Sequence, residues 1–118
     1  MKKLKLRRSP DYKARVRHYA SNLRDRFRAE VGDVFLDDVK KAEAALLANK
    51  GLGVKTPYVL MGRNILLKEW YFDSGPVPYC LVFDVDERYV NLITLWHGTG
   101  SRSSGNLVRI WDKPKTVR

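Results

Sequence analysis

The sequence has few of the residues from which metal sites and disulfides are built. Its 118 residues include one cysteine, Cys80, and two histidines, His18 and His97, which lie far apart in the chain. A single cysteine cannot form an internal disulfide, and three scattered ligands do not make a structural zinc site. We therefore expect neither a metal nor another cofactor.

Long apolar runs are also absent. No stretch approaches the roughly 18 uncharged apolar residues that a transmembrane helix needs. The basic start leads into Pro10 and Asp11, without the apolar segment of a signal peptide. With 44% hydrophobic and 31% charged residues, the composition fits one globular domain over residues 1–118. We expect a cytoplasmic protein with no membrane partner.

Acidic residues are outnumbered, with 13 Asp and Glu against 23 Lys and Arg and a net charge of +10. Residues 1–28 hold eleven of the basic residues and two Asp, and residues 99–118 are also basic, including the tail at residues 112–118. Such a field attracts polyanions, for example nucleic acid, a ribosome or an acidic protein. Because residues 50–68 contain no Asp or Glu, an enzyme with paired carboxylates is difficult to build here.

The first half of the chain is predicted to form an edge strand and two amphipathic helices. Residues 1–8 alternate between apolar and basic side chains, as in a strand with one wet face. Residues 9–11, Ser-Pro-Asp, are typical of a helix start. The helix that follows has an apolar stripe of Tyr12, Val16, Tyr19, Leu23 and Phe27. Gly32 breaks this pattern, and we expect Asp33 to cap a second helix that ends at residues 49–51.

The second half is predicted to form strands. β-Branched, aliphatic and aromatic residues dominate four segments, Ile65–Phe72, Tyr79–Val85, Tyr89–His97 and Leu107–Trp111. We expect an α+β fold in which an antiparallel helix hairpin covers one face of a three- to four-stranded antiparallel sheet. The N-terminal strand joins the edge of this sheet, and its other face stays partly open.

Several residues are candidates for a functional site. His97 and the nearby Arg102 combine an acid/base group with a phosphate clamp, as RNA cleavage requires, although a strand-end histidine and a solvated arginine are the simpler interpretation. Trp96 is a candidate for stacking on a base from the open face, although aromatic residues on strands more often belong to the core. Tyr89 stands an odd number of residues from Trp96, so strand alternation places the two on opposite faces.

Other basic residues are candidates for contacts with nucleic acid or a partner protein. They are Lys13, Arg17, Arg24 and Arg28, beside the apolar stripe of the first helix, and Arg109 in the last strand. Charge on a helix surface often serves solubility alone. The segment Gly51–Thr56 lacks the adjacent glycine and lysine of a phosphate loop, and it follows a predicted helix instead of preceding one, so we expect no nucleotide site there.

The order of elements and two segments resemble the RelE/ParE superfamily of bacterial toxins. These segments are Tyr79–Asp86 and Leu92–Gly98, the second followed by Arg102. The likeness in layout spans residues 3–105 and is sharpest over residues 65–102. It implies a helix hairpin on a twisted antiparallel sheet, and a dedicated antitoxin with an acidic, partly disordered segment that wraps the toxin.

The superfamily implies two alternative activities. RelE-like members cut mRNA on the ribosome with arginines, lysines and a C-terminal tyrosine or histidine, whereas ParE-like members poison DNA gyrase. The arginine expected early in the central strand is Cys80 here, the later arginine corresponds to Arg102, the lysine corresponds to Lys68, and no tyrosine follows Tyr89. The incomplete nuclease set and the His-Gly strand ending at His97 look more like ParE.

The leading hypothesis is therefore a non-enzymatic toxin that binds DNA gyrase and is neutralised by an acidic antitoxin. The alternative is a ribosome-dependent mRNA endonuclease in which His97 and Arg102 act on the scissile phosphate, assisted by Lys68, while the basic helix contacts ribosomal RNA. A plain nucleic-acid-binding module or an inactive toxin is a third possibility.

Overall fold

One strand, a two-helix hairpin and a mixed β-sheet make up the fold. The computed structural model describes residues 4–49, 51–98, 103–104 and 107–109, so Arg102 and the basic tail at residues 112–118 lie outside the described residues. The elements are β1 (Lys5–Arg8), α1 (Pro10–Arg26), α2 (Ala29–Ala48), β2 (Val54–Leu60), β3 (Arg63–Ser74), β4 (Val77–Val85), β5 (Tyr89–His97), β6 (Ser103–Ser104) and β7 (Leu107–Arg109).

The sheet is larger than predicted and is not purely antiparallel. Its seven strands run in the order β1-β5-β4-β3-β2-β7-β6. β1 pairs with β5 in parallel, and the other neighbours are antiparallel. The α+β class and the edge position of the N-terminal strand are confirmed, whereas a three- to four-stranded antiparallel sheet is wrong. The helix hairpin returns the chain to the end of the sheet at which β1 finishes, so β2 runs opposite to β1. Three antiparallel steps, from β2 to β5, then make β5 parallel to β1.

The predicted start of the first helix is confirmed. The Ser9 hydroxyl accepts a hydrogen bond from the Tyr12 backbone N–H at 3.0 Å and donates one to the Ile93 carbonyl at 2.5 Å. Pro10 occupies the first turn, where its missing N–H costs no helical hydrogen bond. Ser9 thus caps α1 and fastens its start to β5.

The predicted break at Gly32 and cap at Asp33 are wrong. α2 already begins at Ala29, and Gly32 is buried within it. A Cβ on Gly32 would lie 2.9 Å from the Ala20 carbonyl oxygen and 2.5 Å from the Cγ of Arg24. Glycine is therefore required where the two helices approach each other, and the Asp33 carboxylate instead pairs with Arg24 at 3.1 Å.

β2 was not predicted, because glycines precede it and Pro57 interrupts it. Proline removes a backbone donor, which a central strand ordinarily needs. Among the described residues, β2 pairs with β3 over its full length and with β7 from Tyr58 to Leu60. Pro57 lies just before the described pairing with β7, so its missing N–H breaks no bond between the described residues of that ladder.

The helix hairpin covers one face of the sheet with the main hydrophobic core. Tyr12 and Ala20 of α1 and a stripe on α2 face residues of β4 and β5, all buried: Phe35, Val39, Ala42 and Leu46 against Tyr79, Leu81, Phe83, Val90, Leu92 and Leu95. Each large side chain buried in this way contributes about 1.5–3 kcal/mol. The predicted apolar stripe of α1 thus faces the sheet, except for Phe27, which follows the helix and is 62% exposed.

The opposite face of the sheet, predicted to be partly open, has an exposed part that includes Tyr71 and a buried part. Tyr58, Cys80, Val82 and Trp96 are each at most 1% exposed there, with Leu67 and Leu107 beside them, and we call these six residues the second core. Tyr58 and Trp96 stand three strands apart, roughly 14 Å in a flat sheet, yet their ring centroids are 5.7 Å apart. The sheet therefore curls and encloses the buried part of this face.

A β-bulge in β5 corrects the predicted orientation of Tyr89. Val82 pairs with Thr94 and Phe83 with Leu92, so Ile93 is an extra residue on β5. A bulge shifts the alternation of side chains by one residue. Tyr89 and Trp96 consequently lie on the same face of the sheet, not on opposite faces.

Candidate functional site

The residues predicted for RNA cleavage do not converge among the described part of the chain. Lys68 pairs with Phe83 across β3 and β4, and His97 pairs with Tyr79 across β5 and β4. Both side chains are on the helix-covered face, but they are two strands and four residues apart, roughly 16 Å from Cα to Cα. Arg102 lies outside the described residues, so no catalytic cluster is defined by this set.

His97 and Gly98 have a structural explanation at the end of β5. The His97 ring packs edge-on against Tyr79, with centroids 5.6 Å apart, and its backbone N–H donates to the Tyr19 hydroxyl at 3.1 Å. The Gly98 N–H donates to the Pro78 carbonyl at 2.7 Å, and a Cβ on Gly98 would lie 2.8 Å from that oxygen. Close packing thus accounts for a glycine after the histidine.

Trp96 and Arg109 belong to the curled face of the sheet. Trp96 is 1% exposed, so its ring is not available to stack on a base. The Nε of Arg109 lies 3.1 Å from the Glu69 carboxylate, which also accepts a hydrogen bond from the Tyr58 hydroxyl at 2.5 Å. Glu69 is 3% exposed, and pairing with arginine offsets the cost of burying its charge. The structure thus buries Trp96 and pairs the half-buried Arg109 with a buried carboxylate.

Burial and hydrogen bonding also fix Tyr58 in its neutral form. Its hydroxyl lies inside the second core, and loss of the proton would leave a phenolate beside the Glu69 carboxylate. Burial, followed by the hydrogen bond and the negative charge of Glu69, raises the pKa of Tyr58 far above its ordinary value. Tyr58 therefore acts as a hydrogen-bond donor that stabilises the buried carboxylate.

The four basic residues predicted along α1 separate into different surroundings. Arg24 pairs with Asp33, and Arg28 borders an apolar groove of about 460 Å³ between the tip of the hairpin and the β3–β4 turn. Lys13 and Arg17, one helical turn apart, line a different groove. The sequence therefore identified two residues of one candidate site, and the other two lie elsewhere.

This second groove lies between α1, α2 and the end of β1 and has a volume of about 330 Å³. We call it the α1–α2 groove, and its lining residues are Arg8, Tyr12, Lys13, Val16, Arg17, Leu36, Val39, Lys40 and Glu43. Val16, Leu36 and Val39 are apolar and at least half-buried, whereas Lys13, Arg17 and Lys40 are exposed. An apolar floor and a basic rim thus occur together.

A buried carboxylate organises one end of the α1–α2 groove. Glu43 is 6% exposed and accepts hydrogen bonds from Arg8 Nη2 at 2.7 Å, Arg8 Nε at 3.1 Å and the Tyr12 hydroxyl at 2.8 Å. Burial, followed by the negative charge of Glu43, raises the pKa of Tyr12 far above its ordinary value. Tyr12 therefore stays a neutral donor, and Arg8 offsets the charge of Glu43.

Sequence reasoning missed Arg8, Lys40 and Glu43 as members of this site. The sequence does contain one signal for Glu43, a charge within an apolar stripe. Glu43 follows Val39 by four residues and precedes Leu46 by three, which is the spacing of one helix face. A carboxylate at such a position needs a buried partner. The partner, Arg8, is 35 residues away in the sequence, so no local pattern identifies it.

Comparison with known proteins does not identify the chain: no family model, curated protein or solved structure matches it. None of the helices in the described ranges is long and apolar enough to cross a membrane. Within the same residues, no three His, Cys, Asp or Glu side chains are grouped so that they would hold a metal ion. A proposal for its function therefore depends on the sequence, geometry and charge of the chain itself.

Proposed function

We propose that this protein is the toxin of a toxin–antitoxin pair. It inhibits growth by binding DNA gyrase, and an acidic antitoxin neutralises it. The proposal combines the resemblance in the sequence with a surface that is built for binding. It makes the protein an inhibitor and not an enzyme.

The observation that best supports a binding function is the large distance between the candidate catalytic residues. Lys68 and His97 are roughly 16 Å apart by strand geometry, and His97 packs against Tyr79. General acid–base catalysis requires groups within hydrogen-bond reach of one reacting centre. By contrast, the exposed cations Lys13, Arg17 and Lys40 share one groove.

Two further features support a toxin of this kind. The order of one strand, a helix hairpin and an antiparallel meander agrees with the layout that the resemblance implies. The net charge of +10 favours an acidic partner, because opposite charges accelerate association and discourage wrong pairings. Neither feature depends on a catalytic residue.

The test begins with controlled expression of the chain in bacteria. We expect growth to stop on induction and to recover when an acidic protein encoded next to it is co-expressed. Purified protein added to gyrase is expected to inhibit supercoiling or to stabilise cleaved DNA. The control is the same reaction after addition of the antitoxin.

A second measurement separates this function from cleavage of mRNA. Toeprinting of translating ribosomes is expected to show no new mRNA ends, with the native chain or with His97→Ala. Ends that appear with the native chain and disappear in His97→Ala would replace our proposal by the endonuclease. Normal growth and unaffected gyrase would refute the toxin proposal altogether.

A further inference from the structure

We infer that this protein forms a homodimer through the apolar groove between the tip of the helix hairpin and the β3–β4 turn. We call it the tip groove; its lining comes from residues 23–34 and 74–79, and its volume is about 460 Å³. The tip of a second copy of the chain, related by a two-fold axis, occupies the groove of the first. The inference goes beyond the proposed function, because it requires neither gyrase nor an antitoxin.

The first argument is that the exposed apolar side chains of the hairpin are concentrated in the tip groove. Phe27 and Val34 are 62% and 56% exposed, and no other large apolar side chain within residues 10–48 is exposed. Both line the tip groove, together with the half-buried Leu23 and Val31. A contiguous apolar patch of this kind is typical of a surface that contacts another protein.

The second argument is that the tip groove has the shape that a two-fold interface requires. In such an interface the same patch meets itself, so it needs both a projecting group and a recess that receives it. Phe27 follows the last turn of α1 and leaves most of its ring in solvent. Tyr79 of the main core is also in the lining and is 2% exposed, so the groove extends down to the core. Phe27 therefore supplies the projection, and the groove beside it supplies the recess.

The third argument is that the charge of the tip is balanced, unlike that of the whole chain. Residues 24–33 contain three arginines and three Asp or Glu residues, whereas the chain has a net charge of +10. Arg28 and Glu30 are exposed in the lining and form no ion pair within the described residues. A two-fold axis through the patch allows Arg28 of each copy to pair with Glu30 of the other.

These charges select a second copy over other occupants of the tip groove. Nucleic acid needs a net basic surface, and an acidic segment would meet Glu30 as well as Arg28. The α1–α2 groove, by contrast, has the exposed cations Lys13, Arg17 and Lys40 on its rim, and these repel an equally basic chain. Of the two grooves, the tip groove is therefore the one that a second copy can occupy.

The first test is the molar mass of the full chain, measured by sedimentation equilibrium at concentrations from about 5 to about 500 µM. Salt of about 0.3 M screens the repulsion between two chains of charge +10. We expect the mass to rise from 13.7 kDa towards twice this value. The expected dissociation constant is about 10–100 µM, because the tip of a hairpin is small for a protein interface. A chain that stays monomeric over this range would overturn the inference.

A matched pair of substitutions tests the apolar contact. Phe27→Ser removes the projecting ring, and Leu66→Ser removes a side chain that is 56% exposed in β3, outside the tip groove. We expect Phe27→Ser to weaken dimerisation at least about tenfold and Leu66→Ser to change it by less than about threefold. Equal effects of the two substitutions would contradict the proposed interface. Thermal unfolding verifies that each variant is folded.

Exchanging the two charges tests the pairing across the two-fold axis. Arg28→Glu makes both charges of the patch negative, and Glu30→Arg makes both positive. We expect each variant alone to dimerise at least about tenfold more weakly than the native chain. An equimolar mixture of the two variants is expected to form a heterodimer about as tightly as the native chain dimerises, because each copy then meets a partner of opposite charge.

The matched charge controls are Arg63→Glu and Glu87→Arg, which change the net charge by the same amounts at exposed positions outside the tip groove. Each control variant alone is expected to dimerise within about threefold of the native chain. If the two groove variants lost self-association and their mixture did not restore it, the two-fold contact would be refuted.

Amide chemical shifts locate the contact in the native chain. Between about 20 and about 500 µM, we expect shift changes in residues 23–34 and 74–79. Changes that concentrate instead around Lys13, Arg17 and Lys40 would show that the copies meet elsewhere and would overturn the inference. None of these measurements reads gyrase activity or growth, so a monomeric chain that still inhibits gyrase would refute the homodimer alone.

Discussion

Arg8 and Glu43 form an ion pair in the α1–α2 groove. We expect the removal of Arg8 to lower the free energy of unfolding more than the removal of Glu43. Glu43 is buried, with 7% of its side chain exposed, whereas 41% of the Arg8 side chain is exposed. Arg8→Met leaves the Glu43 carboxylate in the interior with Tyr12 as its remaining donor. Glu43→Gln leaves the Arg8 guanidinium, which water reaches. A charge that is left unpaired costs more free energy when it is buried than when it is exposed to water.

The expected losses in the free energy of unfolding follow from the exposed fractions of the two side chains. Removing one partner of a fully buried ion pair costs about 3–5 kcal/mol. We expect a loss of about 2–4 kcal/mol for Arg8→Met, because solvent already screens part of the pair. Glu43→Gln is expected to cost only about 1–3 kcal/mol, since the exposed guanidinium is solvated and one amide oxygen still accepts a hydrogen bond.

The assay is urea unfolding of both variants and of the double variant, analysed by linear extrapolation. We expect a coupling energy of about 1–2 kcal/mol, because the second substitution removes a group that has already lost its partner. Equal losses in the two single variants would refute the reasoning from burial. Additive losses in the double variant would show that the contact contributes no coupling.

Three further predictions use the same unfolding measurements. Gly98→Ala is expected to cost about 1–3 kcal/mol, because its Cβ would meet a backbone carbonyl at 2.8 Å. Gly32→Ala gains about 1 kcal/mol in helix propensity. We expect this gain to be outweighed, because the new Cβ would lie 2.9 Å from the rigid Ala20 carbonyl oxygen. A stabilised variant would contradict the packing argument. Burial raises the pKa of Tyr12, Tyr58 and Tyr79. Above pH 10 the folded chain therefore retains these protons while the unfolded chain loses them. We expect the free energy of unfolding to fall as the pH rises through this range. Titration at the phenolate absorbance, with the urea-unfolded chain as control, tests whether these three protons resist removal.

The parts of the fold that the sequence predicted are those governed by local pattern. Ser9 and Pro10 mark the start of α1, and alternating or continuous apolar residues locate β4 and β5 with ends close to those observed. The predictions were wrong where the role of a residue depends on a contact with a part of the chain that is distant in sequence. Gly32 does not break the helix, because the close approach of α1 requires a glycine there. Pro57 is tolerated because, among the described residues, the pairing with β7 begins after it.

The candidate site was only partly predictable for the same reason. Lys13 and Arg17 stand out because they lie beside an apolar stripe on one helix. The Arg8–Glu43 pair joins β1 to α2 across 35 residues, and the groove exists only after the hairpin has packed. Charge counts identify a basic chain, but tertiary structure decides which of its cations share a groove and which are already paired.

Cys80 offers a direct test of the closed second face. It is the only cysteine in the chain, and it is 0% exposed within the second core. Because a thiol reagent needs access to the sulfur, modification requires opening of this part of the sheet. An opening free energy of about 3–4 kcal/mol would slow the reaction several hundredfold relative to the urea-unfolded chain. We expect at least this protection in a kinetic labelling assay with an aromatic disulfide reagent. Labelling as fast as in the unfolded chain would mean that the face is accessible after all, and Trp96 would again be a residue that a partner can reach.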